Sequence, residues 1–327
     1  MKSSIQRDNS IDFFKGILTS LMILAHVIQF FSEKSTVGFI ISQYVNLTTF
    51  SGFFFIFGYT HQIAYFNKKD TNTSKTKILR NSINVLFIYY LSALSFRFFI
   101  SNNLIENGLS GLFKILFFFD IPGYSEFLLS FFILLFFSFL FIKKLKVITT
   151  TNKLIISLFC LAFTFIPLEW LKINQLGLII GSHEFASFPI IQYLPYFILG
   201  TIFAKEKIEF KKTHFYISIL FTLSLLFFIF FTHKIPNRFP PSITWILGAA
   251  AFIYCYYIFS KKINNNKLFK FTVITEIGTS TFFYLIISNI FIFAIKSNLE
   301  MKINLFYCFV LSLFLIFFIY RLRKIVK

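Results

Sequence analysis

Residues 11–31 read IDFFKGILTSLMILAHVIQFF, a stretch long and apolar enough to cross a bilayer as one α-helix. Two ionisable side chains, Lys15 and His26, interrupt it. Their separation of 11 residues is about three helical turns, so they share one helix face and lie roughly 16 Å apart along the axis. An ionisable group in hydrocarbon costs roughly 2.5–3.5 kcal/mol and is by default a functional-site hypothesis. The segment therefore predicts a membrane helix with a polar lane through half of the bilayer.

The composition extends this pattern to the whole chain. Its 327 residues are 57% hydrophobic and only 14% charged, against about 25% charged in a soluble domain. Apolar runs recur along the sequence without the alternation that is typical of a β-barrel. The expected fold class is an all-α, polytopic membrane helix bundle that forms a single domain over residues 1–327.

About ten transmembrane segments are predicted, at residues 11–31, 42–65, 82–100, 125–142, 154–170, 188–204, 214–232, 243–259, 273–295 and 304–320. The glycine-containing stretch 104–119 is interpreted as a re-entrant or interfacial helix instead of an eleventh crossing. With the N-terminus in the cytoplasm, the inner loops hold 23 of the 32 Lys and Arg residues and the outer loops hold seven. Basic residues concentrate on the cytoplasmic side of membrane proteins, so both termini are predicted to be cytoplasmic.

The same distribution accounts for the net charge of +19, which therefore does not indicate nucleic acid as a partner. The three cysteines lie in apolar segments without a Cys-x-x-Cys spacing, which favours buried thiols over disulfides. The five histidines are scattered along the chain, so no metal site is predicted.

Lys15 and His26 each have a simpler interpretation. Lys15 could extend to the lipid headgroups. His26 could be only a hydrogen-bond partner between helices. Asp12 is expected to pair with Lys15 and to lower its insertion cost.

The opening of the chain resembles the acyltransferase-3 family of integral membrane acyltransferases. Asp12, Lys15 and Gly16 match the family's Asp-x-x-(Arg/Lys)-Gly pattern, and His26 follows Lys15 after ten intervening residues, as it does in the family. Many members carry arginine at the position of Lys15. Lysine is often found there in the branch that resembles fucose O-acetylases and biofilm-polysaccharide acyltransferases. Further stretches are similar to family motifs in the same order, namely FFFIFGY at 53–59, KILR at 77–80, EFLLSFF at 126–132, YFILG at 196–200 and IGTSTFFY at 277–284. Ser288 stands where many members have a second histidine, so a second histidine is not expected in the mechanism.

The resemblance implies an enzyme of the bacterial inner membrane that transfers an acyl group to a hydroxyl of a cell-surface polysaccharide or its lipid-linked precursor. The implied donor is acetyl-CoA, with succinyl as an alternative acyl group, and membrane lipid surrounds the protein. In this interpretation His26 is the general base and Lys15 contacts the anionic donor. Arg80, which follows a basic cytoplasmic loop, and His61 are further candidates for donor binding.

Residues near the outer ends of the spans are candidates for acceptor binding. They are Arg97, Glu126, His183 and Glu184, of which Arg97 and Glu126 are alternatively expected to pair with each other. An alternative function for the whole chain is a polysaccharide or lipid transporter whose Lys15 and His26 line a permeation path. Transporters commonly have helices broken by Gly or Pro at symmetric positions, whereas these spans are nearly free of proline.

Overall fold

The computed structural model describes residues 8–101, 103–166, 173–182, 188–265, 272–299 and 301–326. Within these ranges the chain is helical, with two isolated β-bridges and no strand. The prediction of an all-α membrane helix bundle is confirmed. The helices are α1 (Asn9–Phe31), α2 (Thr36–His61), α3 (Thr71–Phe99), α4 (Asn103–Leu116), α5 (Glu126–Val147), α6 (Thr150–Ala162), α7 (Asn174–Ile180), α8 (Ile190–Lys205), α9 (Lys212–Thr232), α10 (Ile243–Gly248), α11 (Ala250–Asn265), α12 (Thr272–Thr279), α13 (Thr281–Asn298) and α14 (Leu305–Val326).

Eight helical stretches of the described part are long and apolar enough to span a bilayer: α1, α2 with a following π-helical turn, α3, α5, α9, α10 with α11, α13 and α14. The predicted spans 154–170 and 188–204 coincide with shorter apolar helices, Thr150–Phe165 and Ile190–Lys205. The predicted span 273–295 is not one continuous helix, because α12 ends at Thr279 and α13 starts at Thr281. This break lies beside the polar face of α1, where it bears on the site described below.

Helices α2 and α3 begin earlier in the sequence than the predicted spans do, and each begins at a side-chain cap. The Ser35 hydroxyl accepts from the Gly38 N–H at 3.2 Å, and α2 begins at Thr36 instead of residue 42. The Asp70 carboxylate accepts from the Asn72 N–H at 2.9 Å, and α3 begins at Thr71 instead of residue 82. In both helices the cap satisfies unpaired N–H groups of the first turn. The first eleven residues of α3, TNTSKTKILRN, are mostly polar and carry no hydropathy signal, whereas the first six of α2, TVGFII, are mostly apolar and still lie outside the predicted span.

The segment between α3 and α5 packs against α3 and returns to the level at which it began. Arg97, near the end of α3, donates from Nε to Asp120 Oδ2 at 2.8 Å. The Tyr90 hydroxyl donates to the Leu116 carbonyl at 3.0 Å, which holds the end of α4 beside α3. Because Arg97 and Asp120 meet, the residues between them make no crossing, in agreement with a re-entrant or interfacial helix.

The central helix α1 contacts α2, α11, α12, α13 and α14. Its contact with α12 is backbone to backbone, since a Cβ on Gly278 would lie 1.7 Å from the Asp12 carbonyl oxygen. A Cβ on Gly16 would likewise lie 1.9 Å from the Ile274 carbonyl oxygen. The two glycines therefore allow the break between α12 and α13 to lie directly against the turn of α1 that carries Lys15.

We expect Gly278→Ala to destabilise the folded protein, because neither backbone at the contact can move without separating α1 from α12. Overpacking of this kind costs typically 1–3 kcal/mol. Thermal unfolding of the purified protein in detergent should show a clear decrease in Tm. Gly38→Ala is the matched control, because its Cβ would meet its nearest neighbour at an ordinary 3.4 Å. An equal loss of stability in both variants would contradict the close-contact explanation.

Contacts within the bundle agree with the loop assignment predicted from the basic residues. The N-terminal Asp8 carboxylate pairs with Lys261 at 2.6 Å, and Lys146 Nζ donates to the Lys68 carbonyl at 2.7 Å. Both contacts join segments that were predicted to be cytoplasmic. At the opposite end, the Ile303 N–H donates to the Phe31 carbonyl at 2.8 Å and joins two predicted outer segments.

The membrane orientation is tested by reporter fusions. Because basic residues divide 23 to seven between the two sets of loops, we expect cytoplasmic signals after Lys69, Lys146, Lys207 and Lys262 and external signals after Lys172 and Lys234. Lys172 lies outside the described residues. Paired fluorescent-protein and alkaline-phosphatase fusions report the two sides, and one inverted position would contradict the orientation.

Candidate active site

A cavity of about 470 Å³ lies in the inner half of the bundle and contains two of the predicted site residues, Lys15 and His61. Its polar wall also includes Thr60, Asn81, Asn84, Thr279, Ser280 and Thr281, and its apolar wall is built mainly from phenylalanine, isoleucine and leucine side chains. We call this space the inner cavity.

Lys15 is one-quarter exposed, and its Nζ lies 3.6 Å from the Asp12 carboxylate, so the predicted pair is present. The Thr19 hydroxyl donates to the Lys15 carbonyl at 2.8 Å and lies 3.5 Å from the Thr281 hydroxyl. Thr281 is the first residue of α13, so the N-terminus of α13 faces the same cavity as Lys15. An ammonium and a helix N-terminus both favour an anionic ligand.

His61 is buried at the end of α2, next to the π-helical turn Gln62–Phe66. Its Nδ1 lies 3.0 Å from the Phe57 carbonyl, which only accepts, so Nδ1 carries the proton. Among the described residues His61 Nε2 has no hydrogen-bond partner, which leaves an acceptor atom at the cavity wall. Arg80 is exposed, and the described cavity lining on α3 begins one residue later, at Asn81.

A second cavity of about 200 Å³ lies in the outer half of the bundle, and we call it the outer cavity. His26 lines it and is only 8% exposed. His26 Nδ1 lies 2.8 Å from the Asn289 side-chain oxygen, which only accepts, so Nδ1 carries the proton. The other ring nitrogen, Nε2, then keeps its lone pair and is the form of histidine that accepts a proton.

Charged and aromatic groups surround His26 in the outer cavity. The Tyr124 ring packs edge-on against the imidazole with 4.8 Å between centroids. Glu126, which is 6% exposed, begins α5, and Arg238 comes from the loop before α10. The guanidinium of Arg238 interacts electrostatically with Glu126 and Tyr124.

Phe53 and Phe127 line both cavities. The two spaces therefore meet at these rings, with Lys15 on the inner side and His26 on the outer side. Lys15 and His26 thus lie in two adjoining cavities with an aromatic partition between them, where their spacing predicts one polar lane.

The sequence model of the acyltransferase-domain family matches residues 8–322, nearly the whole chain. The chain belongs to the acyltransferase-3 family. No curated protein and no solved structure matches it. The bundle and its cavities are accordingly those of a multi-pass membrane acyltransferase.

Of the four residues predicted to bind the acceptor, the structure places Glu126 in the outer cavity and Arg97 outside it. Glu126 shares a cavity with His26. Arg97 is not its partner, as one alternative had it, because the Arg97 guanidinium pairs with Asp120 outside the outer cavity. The predicted acceptor residues His183 and Glu184 lie outside the described residues.

Sequence reasoning did not find Asn289 as the partner of His26. Ser288, at the position where many members of the family have a second histidine, is buried and donates to the Leu285 carbonyl at 3.0 Å. The residue that reaches His26 is the next one along the helix. The side-chain amide of Asn289 lies in an otherwise apolar span, and such polar groups commonly hydrogen-bond to another helix in the membrane. That position could therefore have been identified as a candidate partner for His26.

Proposed function

We propose that this acyltransferase transfers an acyl group, acetyl in the first instance, from acyl-CoA to a hydroxyl of an envelope polysaccharide or its lipid-linked precursor in the bacterial inner membrane. The observation that carries the proposal is the pair of cavities that meet at Phe53 and Phe127, with Lys15 in one and His26 in the other. Donor and acceptor then enter from opposite sides of the membrane and react near the partition.

The inner cavity suits the donor. Coenzyme A is anionic, and Lys15 and the N-terminus of α13 supply positive charge. The pantetheine arm is long and thin, so it reaches from these groups toward the aromatic partition. Asn81, Asn84 and His61 offer hydrogen bonds to its two amides.

The chemistry needs one base. His26 Nε2 takes the proton of the acceptor hydroxyl while the oxygen attacks the thioester carbonyl. The tetrahedral intermediate collapses, the C–S bond breaks, and the proton on His26 passes to the departing sulfur of coenzyme A. The products are an O-acyl ester and the free thiol, and His26 returns to its neutral form with Asn289 still bound at Nδ1.

The proposal is tested by measuring ester-linked acyl groups in envelope glycans from strains with and without the gene, by mass spectrometry. We expect loss of one acyl ester from one glycan while the amount of glycan is unchanged. Restoration by the wild-type gene on a plasmid is the control. Unchanged ester content together with less exported glycan would contradict the proposal and support a transporter instead.

A further inference from the structure

The break between α12 and α13 leaves two sets of backbone groups without partners in their own helices, and α14 supplies a cap for one set. A helix that ends leaves its last carbonyls unpaired, and a helix that begins leaves its first N–H groups unpaired. Arg323, in the last turn of α14, donates from Nη1 to the Glu276 carbonyl at 2.8 Å and from Nη2 to the Thr279 hydroxyl at 3.3 Å. A side chain from the last helix therefore caps the last turn of α12.

Charge reinforces this cap. Arg323 Nη1 also lies 3.6 Å from the Glu276 carboxylate, and the two side chains are 14% and 23% exposed. A cation at the C-terminus of a helix interacts favourably with the helix dipole. Arginine suits the position because its planar guanidinium presents several N–H donors at fixed angles, whereas a lysine presents a single nitrogen. The contact depends on the shape of the side chain as well as on its charge.

The other side of the break faces the inner cavity. Residues 279–281 line this cavity together with Lys15. The Thr281 hydroxyl donates to the Gly278 carbonyl at 3.1 Å, which closes the turn between the two helices. The end of α12 is consequently bound to Arg323, while the start of α13 is directed at the space that Lys15 lines.

Two neighbouring helices fix the position of α12. One is α1, through the glycine contact described above, and the other is α14, which packs on α1 and α13 and reaches α12 through Arg323. Loss of the arginine deprives the Glu276 carbonyl of this donor, so the last turn of α12 is held less firmly. A shift of that turn moves residues 279–281 relative to Lys15 and leaves His26, in the other cavity, in place.

We propose that Arg323 is a positioning residue for the acyl donor. Arg323 is not part of the described lining of the inner cavity. It acts through the break between α12 and α13, because it holds residues 279–281 in the lining that they share with Lys15. This inference rests on the proposed function, in which acyl-CoA binds in the inner cavity, and adds the last turn of α14 as a determinant of donor affinity.

Donor binding by the purified protein in lipid nanodiscs tests this role. In Arg323→Ala we expect the Kd for acetyl-CoA, measured by titration calorimetry, to rise roughly tenfold, since hydrogen bonds from a charged group are lost. The KM for acetyl-CoA should rise with it, and kcat at saturating donor should stay close to the wild-type value. Arg323→Lys keeps the charge at the end of α12 with a single nitrogen, so its Kd should lie between the two. The lysine variant carries the test if the alanine variant does not fold.

Arg321→Ala is the matched control. It removes the same charge from the same turn of α14, but Arg321 is exposed and its guanidinium lies over the Phe317 ring of its own helix at 5.0 Å. Its Kd and KM for acetyl-CoA should equal those of the wild type. An equal rise in Arg321→Ala and Arg323→Ala would overturn the positioning role, because charge at this end of the bundle would then explain the loss. A fall in kcat at an unchanged Kd would overturn it as well.

A second measurement reports on the break without any donor. Hydrogen–deuterium exchange of the amides at 276–284, followed by mass spectrometry, should be faster in Arg323→Ala than in the wild type and unchanged in Arg321→Ala. Unchanged exchange in Arg323→Ala would overturn the cap, and faster exchange with an unchanged Kd would overturn its link to the donor. A wild type that binds no acetyl-CoA would overturn the proposed function, and the exchange data would still decide the cap.

Discussion

His26→Ala should abolish acyl transfer while the protein accumulates in the membrane at its normal level. General-base catalysis contributes typically 10²–10⁴-fold. His26 lines the outer cavity with Nδ1 bound to Asn289, which leaves Nε2 to take the proton in the proposed mechanism. Removing a polar group from an apolar helix does not impede insertion, so the loss is a loss of chemistry. Transfer of labelled acetyl to the glycan and quantitative immunoblotting of membranes measure the two effects separately.

A variant of the partner residue distinguishes the two roles of the histidine. Asn289→Leu keeps the imidazole but removes the acceptor that fixes its Nδ1 proton. A neutral hydrogen bond is worth about 1 kcal/mol net, so we expect a loss of roughly fivefold, far smaller than in His26→Ala. Wild-type esterification in His26→Ala would remove the histidine from the mechanism. Equal losses in the two variants, with normal protein levels, would assign the effect to packing around α13.

The fold was predictable from sequence because bilayer crossing imposes length and composition on each segment. The hydropathy pattern located the apolar parts of the spans, and the 11-residue spacing of Lys15 and His26 placed both on one face. In the structure they line two cavities that meet along α1. The start of α3 at Thr71 was missed because its capped first turns are polar, whereas the start of α2 at Thr36 was missed although residues 36–41 are mostly apolar.

The partners of the site residues were not predictable, because they depend on packing between distant segments. Asn289 meets His26 across a separation of 263 residues. Arg97 has two candidate carboxylates near the outer ends of its neighbours, and only the return of the chain after α4 selects Asp120 over Glu126. The break between α12 and α13 also depends on packing between distant segments, so it was not predictable from the sequence. Gly278 is visible in the sequence, but the contact with Asp12 that makes a glycine necessary there is a tertiary one.

Lys15→Ala should weaken acyl transfer severely, whereas Lys15→Arg should retain a good part of the activity. The ammonium lines the inner cavity beside the N-terminus of α13, so its role in the proposed mechanism is electrostatic contact with the anionic donor. A hydrogen bond to a charged group contributes about 1.5–3 kcal/mol, so the alanine variant should lose roughly 10- to 100-fold in kcat/KM for acetyl-CoA. Arginine keeps the charge and reaches the same space, and initial rates at varied acetyl-CoA concentration measure both variants.

The matched control for Lys15 is Lys69→Ala, which removes an exposed lysine from the same end of the bundle without touching the cavity lining. If positive charge at the inner end acted only by attracting coenzyme A from solution, both alanine variants would lose activity alike, and added salt would remove the difference from wild type. If Lys15 only extends to the headgroups, Lys15→Ala and Lys15→Arg would both be nearly silent. A large loss in Lys15→Ala that persists at high salt, with Lys69→Ala unaffected, requires a contact inside the cavity, because a buried contact is screened far less than a surface charge.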